Sequence, residues 1–284
     1  MTWLLLAFIS VLFRSIYGVM TKVLSNRLSI SAYSQATILS LSGALIALML
    51  SPFLGGLDLD VSDASWITIV LLVLGQGLGN VTYFAAIKHL TNGTAQIAFS
   101  SILIFNTLLA LTFLGLQLTP LNIIGILLLM LAIVSVVSGR IELNRTGVAL
   151  MLLSAFFFSV FQLASADISK DVSPATYLLI AYIGAAVVVF TLKAKVVMKD
   201  LKAGNMKTTF GIPLLTAVPS LGNFLFAYYA YREAPEPARV AMLLTSQVVF
   251  TVIISYFVLN EKGHILRKMA AAGLVVLAAF LIKG

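Results

Sequence analysis

Residues 13–22 have the sequence FRSIYGVMTK, and they lie inside the first of many long apolar runs in the chain. On a helix, Arg14, Gly18 and Lys22 share one face, and Tyr17 lies close beside it. A charge at the centre of a bilayer costs about 2.5–3.5 kcal/mol, so we expect this face to point at protein or water. Arg14, Tyr17 and Lys22 are therefore candidate substrate contacts, although Lys22 could instead extend from the helix end to the lipid headgroups.

The composition indicates the class of protein. Of 284 residues, 61% are hydrophobic and 10% are charged, with a mean hydropathy of +1.08. Soluble domains carry about 25% charged residues, so the chain is expected to cross a membrane several times. The absence of cysteine excludes disulfides, thiolate metal sites and a cysteine nucleophile. The net charge of +8 is scattered over short loops, which does not favour nucleic-acid binding.

Ten apolar runs of spanning length are separated by turn residues and charges, which predicts an all-α integral membrane protein with ten transmembrane helices. The predicted spans are approximately 2–23, 32–53, 65–86, 94–116, 121–139, 146–166, 175–193, 209–230, 236–258 and 265–282. Two longer connections, 51–64 and the lysine-rich 194–208, are expected to be loops.

The chain repeats itself at an offset of 144 residues. Identical residues at this offset include Thr2 and Thr146, Ser10 and Ser154, Phe13 and Phe157, and Tyr33 and Tyr177. The repeat divides the chain into two domains, 1–140 and 145–284, with five spans in each. Because five is odd, the second half enters the membrane from the opposite side. Inverted repeats are typical of secondary transporters, which bind substrate near the middle of the membrane between the halves.

The second repeat ends with LLTSQVVF at residues 243–250 and LNE at residues 259–261, followed by a glycine-bearing final span. Together with the two five-span repeats and the lysine that ends the first span, this pattern resembles the EamA-like branch of the drug/metabolite transporter superfamily. The resemblance covers the whole chain and implies a ten-span transporter. The chain departs from the family pattern at Gln247, where proline is usual, and at Gln117, where an acidic residue is usual.

Polar and aromatic side chains inside other spans complete the candidate substrate-binding set. In the third span, Gln76, Asn80 and Tyr83 lie within about 60° of one another on a helix. Amides also join transmembrane helices to one another, so a structural role for these residues remains open. The other candidates lie on the fourth, sixth, eighth and ninth spans: Gln96, Phe161, Gln162, Asn223 and Gln247.

These features favour a secondary transporter that moves a small metabolite by alternating access. The cations of the first span favour a substrate with a carboxylate, such as an amino acid. The alternatives are an exporter of drug-like or nucleobase-like compounds and a non-transporting membrane scaffold. No catalytic residues, metal or cofactor are expected, because the sequence contains no enzyme motif. The expected partners are a small-molecule substrate and the lipid bilayer, with the chain a monomer or homodimer in a bacterial or archaeal inner membrane.

The distribution of basic residues predicts the orientation. Of the 18 lysines and arginines, the connections after the even-numbered spans and the C-terminal tail hold only Lys170, Arg232, Arg239 and Lys283. The positive-inside rule then puts the connection 194–208 in the cytoplasm and both termini outside. A cysteine introduced at Ala203 into this cysteine-free chain should react with an impermeant maleimide only from the cytoplasmic side. Reaction from the outside would contradict the orientation.

Overall fold

The computed structural model describes residues 2–58, 61, 64–113, 117–137, 144–203, 206–235 and 237–283. These residues form α-helices joined by short connections, with one 3-10 turn at Ser51–Leu54. The first half contains α1 (Thr2–Arg27), α2 (Ala32–Leu50), α3 (Trp66–Ile87), α4 (Asn92–Phe99), α5 (Ile102–Phe113) and α6 (Pro120–Val137). The second half contains α7 (Arg145–Ile168), α8 (Pro174–Ala203), α9 (Met206–Glu233), α10 (Pro237–Thr245), α11 (Gln247–Val258) and α12 (Ile265–Lys283).

The described helices provide ten segments that are long and apolar enough to cross a membrane, which confirms the predicted fold class. Large apolar side chains cover the outward surface; Leu127 and Leu131 of α6, for example, are 60% and 56% exposed. Small and polar side chains such as Ser10 and Ser154 are fully buried. This distribution is the one expected of a bundle surrounded by lipid, because polar groups in hydrocarbon need partners inside the protein.

The two halves repeat each other helix by helix. Each of α1 to α6 has an equivalent in α7 to α12 at an offset close to 144 residues. The packing repeats as well, since α1 packs on α9 and α3 packs on α7, while α2 and α6 pair with their own equivalents, α8 and α12. Each of these pairs thus contains one helix from each half, and the polar faces of the inner helices meet between the halves.

The fourth and ninth spans differ from the continuous helices that the sequence predicts. The fourth is divided into α4 and α5 at Ser100 and Ser101, and the ninth into α10 and α11 at Ser246. At both places backbone N–H groups bond three residues back, from Ser101 to Ala98 and from Ser246 to Leu243. The serine hydroxyls bond preceding carbonyls too, which competes with the regular helix ladder. Broken helices of this kind are typical of transporter binding sites.

The lysine-rich connection also differs from expectation, because α8 continues as a helix to Ala203 after a kink at Lys193, whose φ is −144° and ψ 45°. Alanine and lysine favour helix, and the charged side chains can lie in water beyond the membrane. Asp200 in this extension accepts hydrogen bonds from the Ser31 backbone N–H (2.9 Å) and the Ser34 hydroxyl (2.6 Å). The extension is thereby attached to the start of α2.

The connections between the spans lie at two opposite ends of the bundle, which we name after the basic residues at one end and the chain termini at the other. The basic end carries the connections after the odd-numbered spans, including those from α1 to α2 and from α3 to α4. The terminal end carries both chain termini and the connections after the even-numbered spans.

Candidate functional site

A cavity of about 50 Å³ lies between the two halves, between the middle of the bundle and the terminal end. Its walls come from α1, α7, α8 and α9 and from the two helix breaks. The space is enough for a few water molecules but far smaller than the 300–1,000 Å³ typical of a ligand pocket. The bundle is therefore nearly closed around its centre in this conformation.

Arg14 enters the cavity from the middle of α1 and is half-buried. Its guanidinium carbon lies 5.2 Å from the ring centre of Tyr17, 5.2 Å from that of Phe99 and 5.5 Å from that of Phe158. Aromatic faces attract a cation, and each such contact is worth about 0.5–2 kcal/mol. Rings do not satisfy the five N–H donors, and no carboxylate among the described residues forms an ion pair with Arg14.

Two residues that line the cavity each have a buried polar atom without a hydrogen-bond partner among the described residues. The two atoms are the side-chain oxygen Oε1 of Gln247, beside the break in the ninth span, and the hydroxyl of Tyr231 on α9. A buried polar group left unpaired costs about 1–3 kcal/mol, so both atoms would gain from a ligand or water that enters the cavity.

Two other predicted amides lie in the cavity wall but are held by neighbours. Gln162 accepts a hydrogen bond of 2.9 Å from the side-chain amide of Asn106, which in turn accepts one of 2.6 Å from the Ser159 hydroxyl. Asn223 accepts hydrogen bonds from the Ser10 hydroxyl through its backbone oxygen (2.9 Å) and side-chain oxygen (3.1 Å). These bonds fix the wall where α1 meets α9 and where α5 meets α7.

Lys22 lies outside the cavity, near the basic end. Its ammonium donates to the backbone oxygens of Ile87 (2.5 Å) and Leu90 (2.8 Å), at the end of α3. A cation that binds the last carbonyls of a helix also interacts favourably with the negative end of the helix dipole. These contacts give Lys22 a structural role, in addition to any role in the substrate path.

Four other predicted residues form a cluster between the cavity and the basic end, which we call the inner cluster: Gln76, Asn80, Tyr83 and Gln96. None is more than 4% exposed. Gln96 donates a hydrogen bond to the Tyr83 hydroxyl, but both side-chain polar atoms of Gln76 lack a partner among the described residues. Gly18 permits this packing, since a Cβ there would lie 3.1 Å from the Gln96 amide nitrogen. The inner cluster is thus a polar region with no access from either end.

A group of contacts, which we call the clasp, closes the basic end over the inner cluster. The carboxylate of Glu261 accepts hydrogen bonds from the backbone N–H groups of Asn92 (2.6 Å) and Gly93 (3.1 Å), at the start of α4. Lys268, only 3% exposed, lies 3.6 Å from this carboxylate and donates to the Thr91 hydroxyl at 3.0 Å. The negative charge at the helix N-terminus is favourable, and the buried ammonium balances it.

The clasp has no equivalent at the terminal end among the described residues. Gln117, at the position equivalent to Glu261, is exposed. Similarly, α4 packs against α11 and α12. In the other half, α10 corresponds to α4, and α5 and α6 correspond to α11 and α12. Within the described ranges, α10 makes no comparable contact with α5 or α6. The two halves therefore meet more closely at the basic end than at the terminal end.

Comparison with known proteins identifies the family. A model of the EamA-like transporter family matches residues 1–138 and again residues 145–284. The chain belongs to the EamA-like transporter family. The cavity between the halves is thus a site in a multi-pass membrane protein of a small-molecule transporter family.

The EamA-like fold also matches solved structures. One crystal structure aligns with a TM-score of 0.71 over 99% of this chain and 96% of the other, at 15% sequence identity. This likeness supports the fold and carries no information about substrate. No curated protein matches the chain.

Sequence reasoning did not select every residue of the site. Phe99 and Phe158, which face Arg14, were not among the candidates, and neither was Tyr231 with its unpaired hydroxyl. The chain has 18 phenylalanines and nine tyrosines, so an aromatic residue in a span gives no sequence signal of its own. Five predicted residues do line the cavity: Arg14, Phe161, Gln162, Asn223 and Gln247.

Proposed function

We propose that this protein is a secondary transporter of a small metabolite with a carboxylate or another anionic group, an amino acid being the best fit. The observation that carries the proposal is the Arg14 guanidinium, which faces the cavity between aromatic rings with no described carboxylate paired to it. A charge-assisted, two-pronged contact with a carboxylate would use donors that the rings leave unsatisfied. Low dielectric around the cavity would strengthen that contact.

The rest of the cavity supports a zwitterionic substrate. The unpaired Gln247 oxygen can accept a hydrogen bond from an ammonium, and the Tyr231 hydroxyl can donate or accept one. The rings of Phe161 and Phe224 lie with their centres 5.1 Å apart and their planes tilted by 40°, and they offer an apolar wall for the remainder of the substrate. A membrane of a bacterium or archaeon is the proposed location.

The aromatic walls also favour one alternative, an exporter of drug-like or nucleobase-like compounds. Such compounds would bind mainly by stacking and would depend little on Arg14. The two proposals therefore differ in how much affinity the Arg14 charge provides.

Alternating access would explain the polar region that has no access from either end. Buried amides such as Gln76 are costly in a closed protein, but they would be hydrated if the basic end opened. The clasp is the contact that such opening must break. With the basic end in the cytoplasm, the present conformation corresponds to a nearly occluded state that is closed on the cytoplasmic side.

Replacing Arg14 by glutamine tests the proposed substrate contact. A panel of amino acids should stabilise the purified parent protein against heat, because a ligand stabilises the state that it binds. For the best amino acid, Arg14→Gln should weaken binding roughly tenfold to hundredfold, the effect of losing a contact worth about 1.5–3 kcal/mol. Affinity is measured by titration, and transport by uptake into proteoliposomes.

Arg27→Gln is the matched control, because Arg27 is an exposed cation at the end of the same helix. Its affinity and uptake should equal those of the parent. Unchanged affinity with a lower melting temperature in Arg14→Gln would make Arg14 a structural residue. Stabilisation only by uncharged aromatic compounds would favour the drug or nucleobase alternative.

Breaking the clasp tests alternating access. Thr251 on α11 is fully buried beside Gly18, on the basic-end side of the break in the ninth span, so a cysteine there should react slowly with a soluble maleimide. Adding Lys268→Met removes the balancing ammonium from Glu261, and labelling of Thr251→Cys should accelerate about tenfold as the basic end opens more often.

Lys262→Met is the control for this experiment, since Lys262 is an exposed lysine next to Glu261 in the connection from α11 to α12. It should leave the labelling rate unchanged. If Lys268→Met lowers the melting temperature but does not change the labelling rate of Thr251→Cys, the clasp is a structural contact and not a gate.

A further inference from the structure

A second cavity, of about 660 Å³, lies on the outer surface of the bundle at the terminal end. We call it the lateral groove. Its floor is α7, and its walls are α3 and α5, which both pack on α7. Apolar side chains line most of its length: Leu71, Leu109, Phe113, Phe156, Val160 and Leu163.

The lateral groove is separate from the central cavity. Positions 156, 160 and 163 lie on one face of α7, whereas Phe158, Phe161 and Ser165, which line the central cavity, lie on the opposite face. Phe113 at the rim is 77% exposed and Leu71 is 42% exposed, so the groove faces the surroundings of the bundle. In a membrane-spanning protein those surroundings are lipid.

The length of the groove matches one leaflet. Along α7 its lining extends from Phe156 to Asp167, which is about 16 Å at 1.5 Å per residue. Half of a hydrocarbon core of about 30 Å is nearly the same length. An acyl chain whose headgroup lies at Asp167 would therefore fill the groove down to the middle of the membrane.

Two opposite charges lie at the outer end of the apolar lining. Asp167 is the last residue but one of α7 and Lys170 follows in the next turn, and both are exposed and line the groove. The Thr68 hydroxyl donates to Oδ2 of Asp167 at 2.8 Å, which holds the carboxylate over the groove. A carboxylate accepts hydrogen bonds from an ammonium, and a lysine binds a phosphate.

We propose that the lateral groove binds a phospholipid with a primary ammonium, a phosphatidylethanolamine, in the leaflet at the terminal end. One acyl chain occupies the apolar lining, the ammonium binds Asp167 and the phosphate binds Lys170. A choline headgroup has no N–H to donate, and a glycerol headgroup has no cation for the carboxylate. The site is thus selective for the headgroup as well as for the chain.

The test measures thermal stability of the full chain in detergent, titrated with phosphatidylethanolamine, phosphatidylcholine or phosphatidylglycerol with identical acyl chains. The parent protein should bind the ethanolamine lipid about tenfold more tightly than the choline lipid, the effect of one charge-assisted hydrogen bond. Asp167→Asn should remove that preference, because an amide can still accept from Thr68 but no longer attracts an ammonium. Asp171→Asn, an exposed carboxylate of the same turn outside the groove, should keep it.

A second variant tests the chain-binding part. Val160→Trp would fill the floor and should weaken the binding of all three lipids, whereas Leu277→Trp, at a lipid-facing position of α12 that is 50% exposed, should not. Equal affinity for ethanolamine and choline lipids in the parent would overturn the proposal. So would a preference that survives in Asp167→Asn, or lipid binding that is unaffected by Val160→Trp. If Val160→Trp still binds the lipids but is no longer stabilised by amino acids, the groove binds the substrate instead of a lipid.

Discussion

The structure depends on keeping one guanidinium, that of Arg14, away from lipid near the middle of the first span. Three aromatic rings surround it, and the cavity between the halves gives its remaining N–H groups a polar space. Both arrangements turn this face of α1 inward, where α1 packs against α9 and the broken fourth and ninth spans. The same constraint makes the centre of the bundle attractive to an anion.

The two halves supply nearly the same scaffold, and the difference between them lies at the helix ends. Glu261 and Lys268 secure the start of α4 at the basic end, while Gln117 at the equivalent position is exposed. A carboxylate in one half and an amide in the other therefore make closure at the two ends unequal in strength. Since the polar inner cluster lies beneath the stronger closure, its hydration would depend on breaking that ion pair.

The ten spans and the repeat could be predicted because apolar length and sequence spacing do not depend on neighbours. The helix breaks could not, since the Ser15 hydroxyl makes the same kind of bond, to Val11, within an unbroken helix. Arg14 could be chosen because a charge in an apolar run is rare, whereas Phe99 is one phenylalanine among many. Helical spacing puts Gln76 and Asn80 on one helix face, but it could not distinguish amides that line the cavity from amides in the inner cluster, since that division depends on how the helices pack against one another.

The measurement that tests the central claim most directly compares the amino acid that best stabilises the protein with the corresponding amino-acid amide, in which a neutral carboxamide replaces the carboxylate. Both compounds are titrated on the parent protein and on Arg14→Gln. If the guanidinium binds the carboxylate, the parent should prefer the acid by about tenfold or more, and the variant should bind both compounds with similar affinity. The change in the preference for the acid between the parent and Arg14→Gln measures the contact between Arg14 and the carboxylate, because a general loss of stability would affect both compounds equally. An equal preference for the acid in both proteins would contradict the account, because the carboxylate would then be recognised elsewhere.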